Sequence, residues 1–276
     1  MIEVDRLRGI LFDYGGTIDS NGVHWAEVIW QAYQAENVPI TKEIFRKAYI
    51  HGERTLGKNP IIKPYHTFLD MMRIKIGIQM EWLILQDGGN RGCLESGGND
   101  EYLDCFAKKL SRNDGQQSKR LCEEEQRSNP LKNNINQRIA DFCYNYARMS
   151  VEKARPIIER LADRYPMVLV SNFYGNIAAV LQDFGLGHFF PIIIESAVVG
   201  IRKPDPQIFR LGVEALQMKA EEVVVIGDSY DKDIIPAKTA GCQTIWLKNT
   251  GWNEYTGTET ADWVISDFAE LRKRLS

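Results

Sequence analysis

Six short runs of apolar residues stand out along the chain, one near the N-terminus and five beyond residue 166. They are too short for helices and are followed by glycine or polar residues, which is typical of buried strands. Apolar residues spaced three or four apart predict helices between and after the last five runs. This alternation indicates an α/β fold, with a parallel sheet covered by helices on both faces. The predicted strands are residues 10–12, 167–170, 192–194, 223–226, 244–247 and 263–265, and the predicted helices are residues 176–184, 206–216, 234–240 and 268–275.

The long interval between the first two strands is helical in pattern. Apolar residues recur at helical spacing through residues 21–85, with Thr41 placed to cap a second helix and Pro64 near the start of a third. The pattern resumes at Ile135, and Pro156 suggests that a further helix begins there and ends near residue 165. No alternation typical of strands interrupts these segments, so the interval is expected to be a helical block.

A polar segment divides this helical block. Residues 86–134 are rich in glycine, asparagine, glutamine and charged residues, which predicts an exposed insertion with one amphipathic helix around residues 102–110. The domain prediction is therefore an α/β core made of residues 1–19 and 151–276. A helical cap, residues 20–150, is inserted after the first strand and carries the polar insertion.

Composition and charge exclude several classes of function. The net charge of −3 gives no electrostatic case for nucleic-acid binding, and no apolar run approaches the length of a membrane span. The N-terminus shows no secretory signal, and the 5 cysteines are scattered without a C-x-x-C pair. These features predict a cytoplasmic protein with reduced thiols. The 4 histidines lack the spacing of a zinc site.

Polar residues follow the predicted strands at the positions where a parallel sheet places its ligands. The carboxyl ends of parallel strands meet at one edge, so side chains far apart in sequence can converge there. Lys203 lies in a loop between two of these strands, and Pro204 favours an extended backbone for it. The candidate residues are Asp13, Gly15, Gly16 and Thr17 after the first strand, Ser171 and Asn172 after the second, Lys203, and Asp228, Asp231 and Asp233 after the fourth.

Together these residues suggest phosphoryl chemistry. The carboxylates of Asp13 and Asp228 are hard oxygen ligands of the kind that Mg²⁺ prefers, and Lys203 offers a positive charge to a phosphate. Gly16 leaves its backbone N–H open to an anion. With the repulsion relieved by these cations, Asp13 could attack phosphorus and form an aspartyl-phosphate. Taken singly, each segment also fits an ordinary turn, cap or surface loop.

Four of these segments resemble the motifs of the haloacid dehalogenase superfamily, in the members whose helical cap follows the first motif. The segments are DYGGT at 13–17, SN at 171–172, the lysine of RKPDP at 203, and GDSYDKD at 227–233. The resemblance implies a Rossmann-like core and a nucleophile at Asp13. It further implies Mg²⁺ held by Asp13, the Gly15 carbonyl, Asp228 and Asp233, and a phosphoryl group held by Gly16, Thr17, Ser171, Asn172 and Lys203.

Position 15 departs from this resemblance. Phosphatases of the superfamily usually carry a second aspartate there, as the general acid for the leaving group, whereas this chain has Gly15. Either water or a cap residue supplies the proton, or the substrate has a better leaving group, such as an acyl phosphate or a sugar C1 phosphate. A third alternative is a weakly active protein that binds a phosphorylated ligand or a partner.

The expected function is a Mg²⁺-dependent phosphatase of a small phosphorylated metabolite. Dehalogenation is the enzymatic alternative, since it needs neither a metal nor an acid at position 15. Asp228, Asp231 and Asp233 favour the phosphatase, because so many carboxylates together would be unfavourable without a cation. The substrate's identity would be set by the cap, whose sequence shows only helical periodicity.

Overall fold

The strands of the computed structural model, which describes residues 3–88, 135–251 and 260–275, form a single parallel sheet. They are β1 (Gly9–Phe12), β2 (Met167–Ser171), β3 (Ile192–Glu195), β4 (Val223–Gly227), β5 (Gln243–Leu247) and β6 (Trp263–Ile265). Their order in the sheet is β3-β2-β1-β4-β5-β6, so β1 lies in the middle with β2 and β4 beside it. All six predicted strands occur within one residue of their expected ends, and the predicted Rossmann-like α/β fold is confirmed.

Helices cover the sheet and also make up most of the described residues between β1 and β2. They are α1 (Trp25–Ala35), α2 (Lys42–Lys58), α3 (Phe68–Gly88), α4 (Ile135–Ala162), α5 (Ile177–Asp183), α6 (Ser196–Val199), α7 (Gln207–Leu216), α8 (Ile235–Thr239) and α9 (Arg272–Leu275). A π-helical turn, Tyr230–Ile234, precedes α8, and a 3-10 turn, Phe268–Leu271, precedes α9. The predicted helices in the second half of the chain are therefore present, two of them with irregular first turns.

The side chains of the helix starts explain where α2 and α3 begin. Thr41 caps α2 as predicted, because its hydroxyl accepts the N–H of Ile44 at 3.3 Å. The expected start of α3 near Pro64 is wrong, since the helix begins at Phe68. Thr67 and Asp70 form a reciprocal cap there: the Asp70 carboxylate accepts the Thr67 N–H at 3.0 Å, and the Thr67 hydroxyl accepts the Asp70 N–H at 3.2 Å.

Pro156 does not begin a helix, contrary to the prediction. It lies inside α4, a single helix of 28 residues. A proline in a helix interior removes one backbone hydrogen bond and is normally unfavourable. Here buried apolar residues on both sides of it, among them Val151, Ala154, Ile158 and Leu161, hold the helix against the core. Packing therefore outweighs the local preference of proline.

Alternate side chains of the strands belong to two separate apolar cores, one on each face of the sheet. Ile10 and Phe12 point to the face that is continuous with the helical block, while Leu11 and Val170 belong to the other core. On that second face α7 lies close against the sheet at Gly212, where an added Cβ would be 2.9 Å from Leu11. Both faces are covered, as a parallel sheet requires.

Two predictions, the helix in the polar insertion and the domain boundary, are not tested by the described residues. The polar insertion lies almost wholly within residues 89–134, and its helix around 102–110 falls outside the described residues. The predicted domain boundary at residues 150 and 151 falls within α4, and the division into core and cap stays a prediction. Among the described helices, none combines the length and the apolar character needed to cross a membrane.

Candidate active site

The candidate site lies where the chain changes direction across the sheet. From β1 the chain proceeds to β2 and β3 on one side, and then returns to place β4 on the other side of β1. Ligands of open α/β sheets bind at such a switch point, beyond the carboxyl ends of the strands. Phe12 and Ile226 are paired in the register of β1 and β4. Asp13 and Asp228 therefore leave neighbouring strand ends at nearly the same level.

Lys203 bridges two carboxylates at the centre of the site. Its ammonium lies 2.6 Å from Asp13 Oδ1 and 2.7 Å from Asp233 Oδ1, and all three residues are buried. The Thr17 hydroxyl donates to Asp13 Oδ2 at 2.9 Å and lies 3.2 Å from Asp228 Oδ1. Residues separated by up to 220 positions are thus brought into one polar cluster, as the strand-end argument predicts.

Asn172 fixes the loop that carries Lys203. Its side-chain amide donates to the Lys203 carbonyl at 3.0 Å, and its side-chain oxygen accepts the Lys203 N–H at 2.9 Å. The predicted role of Asn172 in holding phosphate stays a prediction, since in this structure the amide is engaged with the lysine backbone. Ser171 is buried at the end of β2, and no hydrogen bond between described residues joins its hydroxyl to Asp13 or Lys203.

Gly15 and Gly16 differ in whether the structure around them would accept a side chain. Gly16 has a φ of +98°, and a Cβ there would lie 2.5 Å from the Asp228 carboxylate, so only glycine fits. Its N–H is not open to an anion as expected, because it donates to Asp19 Oδ1 at 2.7 Å. Gly15 has room for a side chain, since a Cβ there meets nothing within 4 Å.

The electrostatics of the cluster show an excess of negative charge. Burial raises the pKa of Asp13 to about 6, with Lys203 opposing this effect and Asp233 adding to it. Burial, followed by repulsion from Asp13 and Asp233, raises the pKa of Asp228 as well. The pKa of Lys203 is raised despite its burial, because Asp13 and Asp233 favour its charged form. Lys203 therefore remains an ammonium, while the carboxylates repel each other.

This donor set fits a hard divalent cation. Asp13, Asp228 and Asp233 each offer an oxygen, and these atoms lie within 4.8 Å of one another. Three ionised carboxylates against the single charge of Lys203 leave two negative charges, which a divalent cation would balance. Asp231, which the sequence groups with the other aspartates, is exposed and lies outside this cluster.

Asp19 is a residue that the sequence did not single out as functional. It is 1% exposed, and its Oδ1 accepts the Gly16 N–H. Burial raises its pKa to about 7, against the opposing effect of the Gly16 N–H. The Ser20 hydroxyl donates to the Gly16 carbonyl at 3.0 Å. Asp19 thus binds the N–H of Gly16 and Ser20 binds its carbonyl. In the sequence, these roles were indicated only by the position of the two residues in the turn after Thr17.

Comparison with known proteins places these features in a family. The family model described as haloacid dehalogenase-like hydrolase matches residues 7–241. A glyceraldehyde 3-phosphate phosphatase from Methanocaldococcus jannaschii is 36% identical over 87 residues, which cover 32% of this chain and 38% of the relative. A phosphoserine phosphatase from Thermus thermophilus is 40% identical over 63 residues, covering 23% of this chain and 25% of the relative.

The matches to these relatives are partial, whereas a likeness to solved structures extends along the chain. The matched segments span well under half the length of either phosphatase. The crystal structure of a dehalogenase with an intermediate complex superposes with a TM-score of 0.54 at 13% identity. That superposition covers 97% of this chain and 96% of the dehalogenase, and at this identity it shows a shared fold.

Proposed function

Because this chain belongs to the haloacid dehalogenase-like hydrolases, we propose that it is a Mg²⁺-dependent phosphatase that uses Asp13 as its nucleophile. The observation that carries the proposal is the cluster of Asp13, Asp228 and Asp233 around the Lys203 ammonium. Two partial relatives named as phosphatases of small phosphorylated compounds support a small phosphorylated metabolite as the substrate. The helices between β1 and β2 would form the cap that selects it.

The proposed reaction proceeds in two displacements at phosphorus. A carboxylate oxygen of Asp13 attacks the phosphoryl group, the bond from phosphorus to the leaving oxygen breaks, and an aspartyl-phosphate forms. Water then attacks the same phosphorus, releases phosphate and restores the Asp13 carboxylate. Lys203 and Thr17, which hold the two oxygens of Asp13 at 2.6 and 2.9 Å, orient the nucleophile before substrate arrives.

The acidic residues would hold the metal at one side of this nucleophile. Asp13, Asp228 and Asp233 supply side-chain oxygens, and the Gly15 carbonyl is the proposed backbone ligand. Mg²⁺ supplies positive charge that offsets the repulsion between a carboxylate and a phosphate. Lys203 contributes a second positive charge from within the protein, and it keeps that charge because its pKa is raised.

The same cluster favours phosphatase over dehalogenase activity. A dehalogenase of this fold would use the first aspartate against a carbon–halogen bond and would need no metal. Burial and the neighbouring carboxylates raise the pKa of Asp228, so its charged form is unfavourable here unless a cation is bound. A site arranged in this way is explained by a cation and a phosphorylated substrate.

The test is a phosphate-release screen over sugar phosphates, acyl phosphates and nucleotides, with and without Mg²⁺. At least one substrate should turn over in a Mg²⁺-dependent manner, and Asp13→Asn should abolish turnover because the amide is a poor nucleophile. If no substrate is hydrolysed faster by the wild type than by Asp13→Asn, the protein is a binding protein rather than a phosphatase. Halide release from haloacids without Mg²⁺ would instead support dehalogenation.

A further inference from the structure

A buried lysine of the helical block lies beside the loop that follows β2. Lys75 of α3 is 6% exposed, and its ammonium is 2.7 Å from Glu53 Oε1 of α2. The hydroxyl of Tyr174, in the loop after β2, donates to Glu53 Oε2 at 2.7 Å. The Lys75 ammonium also lies over the Tyr174 ring, 5.2 Å from its centroid. These three residues, the Lys75 cluster, join two helices to the edge of the sheet.

The Lys75 ammonium has more hydrogen-bonding capacity than its described partners use. An ammonium has three N–H donors, and Glu53 is the one acceptor described for it, the other contact being the aromatic face. An ammonium paired with one carboxylate can donate to a further acceptor without giving up that pair. Because burial alone would lower the pKa of Lys75 but Glu53 raises it, the side chain stays charged. Its remaining donors are thus suited to an oxygen ligand that carries negative charge.

The Lys75 cluster lies next to the candidate active site. Tyr174 follows Asn172 by two residues, and the ring of Phe173 between them is 6.0 Å from that of Tyr14, which directly follows Asp13. The loop after β2 therefore contacts the proposed nucleophile's neighbour on one side and Lys75 on the other. This loop thus connects the Lys75 cluster with the strand end that carries the proposed nucleophile.

Positive charge extends from this cluster along the loops of the site. Arg202 and Lys232, both exposed, are next in sequence to Lys203 and Asp233. Burial would raise the pKa of Glu53, but Lys75 and, more weakly, Lys232 lower it. Arg202 similarly opposes the rise in the pKa of Tyr174 that burial and Glu53 cause. Lys75 and Lys232 thus both act on the Glu53 carboxylate, while Arg202 acts on Tyr174, so three cations influence the Lys75 cluster.

We propose that Lys75 binds a second anionic group on the substrate, a carboxylate or a second phosphate, while the hydrolysed phosphoryl group lies at Asp13. This inference rests on the proposed phosphatase function and narrows its substrates to phosphorylated acids or bisphosphates. Glu53 and Tyr174 fix the position of the ammonium, and Arg202 and Lys232 add attraction for the second anion.

The test compares substrates that differ in the distal group. Glycerol 3-phosphate and 3-phosphoglycerate share a three-carbon skeleton and differ in one carboxylate, and 1,3-propanediol bisphosphate carries a second phosphate instead. The wild type should prefer one of the two compounds with a second anionic group to glycerol 3-phosphate by about tenfold or more in kcat/KM, which is the scale of one charged hydrogen bond. The compound preferred identifies the distal anion as carboxylate or phosphate.

A double variant tests Lys75 by removing its charge together with that of Glu53. Lys75→Met alone would strand the Glu53 carboxylate and could unfold the protein, so Lys75→Met is combined with Glu53→Gln. The double variant should lower the ratio of kcat/KM between the preferred substrate with two anionic groups and glycerol 3-phosphate by about tenfold or more. Lys47→Met removes an exposed lysine of α2 and is the matched control; it should leave that ratio unchanged.

A binding measurement separates this inference from the proposed function. Calorimetric titration of Asp13→Asn with the three compounds needs no turnover. If the wild type hydrolyses nothing, but a compound with two anionic groups binds more tightly than glycerol 3-phosphate and the double variant abolishes the difference, the phosphatase proposal fails and the anion site stands. If hydrolysis occurs but neither rate nor binding distinguishes the compounds, or the double variant retains the preference, the anion site is wrong.

Discussion

Position 15 carries glycine although its backbone would accept another residue. The usual aspartate of related phosphatases is replaced by glycine, yet the backbone does not demand glycine there, since φ is not positive and an added Cβ meets nothing within 4 Å. Gly16, one residue further, does demand glycine, because of its positive φ and the Asp228 carboxylate beside it. The absence of an acid at position 15 is thus a chemical feature of the site and not a steric necessity.

Gly15→Asp should therefore fold normally and raise the rate for alkyl phosphates. Their alkoxide leaving groups need a proton, and general acid catalysis contributes about 10²–10⁴-fold, so a gain of at least about tenfold in kcat is expected. Steady-state hydrolysis of glycerol 3-phosphate measures this. Gly15→Asn is the control, because it fills the same space without an acid. An unchanged or lower rate for Gly15→Asp would show that another group supplies the proton.

Some residues of the candidate sites could be predicted from the sequence, and others could not. Asp13, Lys203 and Asp228 could be found because each follows a recognisable strand or motif and the sheet brings strand ends together. The place of Asp19 against the Gly16 N–H depends on turn geometry, which residue type alone does not specify. Lys75 and Glu53 lie on helices whose mutual packing no motif encodes, so their pairing became visible only in three dimensions.

Among the elements, α7 shows how closely a helix can approach the sheet that holds the site. Gly212 faces β1 and β2, where a Cβ would be 2.9 Å from Leu11 and 3.2 Å from Val170. Alanine is normally a better helix residue than glycine by about 1 kcal/mol. At this position contact with a buried strand should outweigh that preference, because both Leu11 and Val170 are fully enclosed.

Gly212→Ala should lower the free energy of unfolding by about 1–3 kcal/mol, the usual effect of overpacking a core. Gly77→Ala in α3 is the matched control, since an added Cβ there meets nothing within 4 Å and alanine should raise stability by about 0.5–1 kcal/mol. Urea unfolding followed by circular dichroism gives both values. Equal effects of the two substitutions would contradict the close approach of α7.

The strands and helices also show how far local sequence patterns predict secondary structure. The strands were predicted within one residue because their short apolar runs have few alternative interpretations. The start of α3 was misplaced because a proline suited to a first turn was given more importance than the Thr67 and Asp70 cap. The break expected at Pro156 is absent because burial on both sides of it stabilises one continuous helix. At α3 the error concerns a local cap, and at Pro156 tertiary packing outweighs a local preference.

For the whole molecule, the acidic cluster links stability to ligand binding. Asp13, Asp233 and the Lys203 ammonium are buried at the switch point beside the half-buried Asp228, so the metal-free fold retains unfavourable charge. A cation that binds the folded chain and not the unfolded chain shifts the folding equilibrium towards the folded state by mass action. Stability should therefore depend on divalent cations even when no substrate is present.

Mg²⁺ should raise the melting temperature of the chelator-treated wild type, with a stabilisation of about 2.7 kcal/mol at a concentration one hundred times its dissociation constant. Asp228→Asn should remove most of this shift, because it deletes a ligand, and should melt higher than the metal-free wild type. Asp231→Asn, an exposed neighbour outside the cluster, is the control and should keep the shift. Differential scanning calorimetry with EDTA or Mg²⁺ measures both. A shift retained in Asp228→Asn would place the cation elsewhere.

The continuity of α4 has a mechanical consequence. The helix packs against α1 and α3 along part of its length and against two turns, Gly187–Phe189 before β3 and Phe268–Leu271 after β6. It thus connects the helices between β1 and β2 with elements beside the sheet, and it should bend most easily at Pro156, where a backbone hydrogen bond is missing. A tilt of about 10° at Pro156 would displace Ile135, roughly 30 Å away along the axis, by about 5 Å. A small angular change near the sheet would thus become a large movement at the distal end of the helical block.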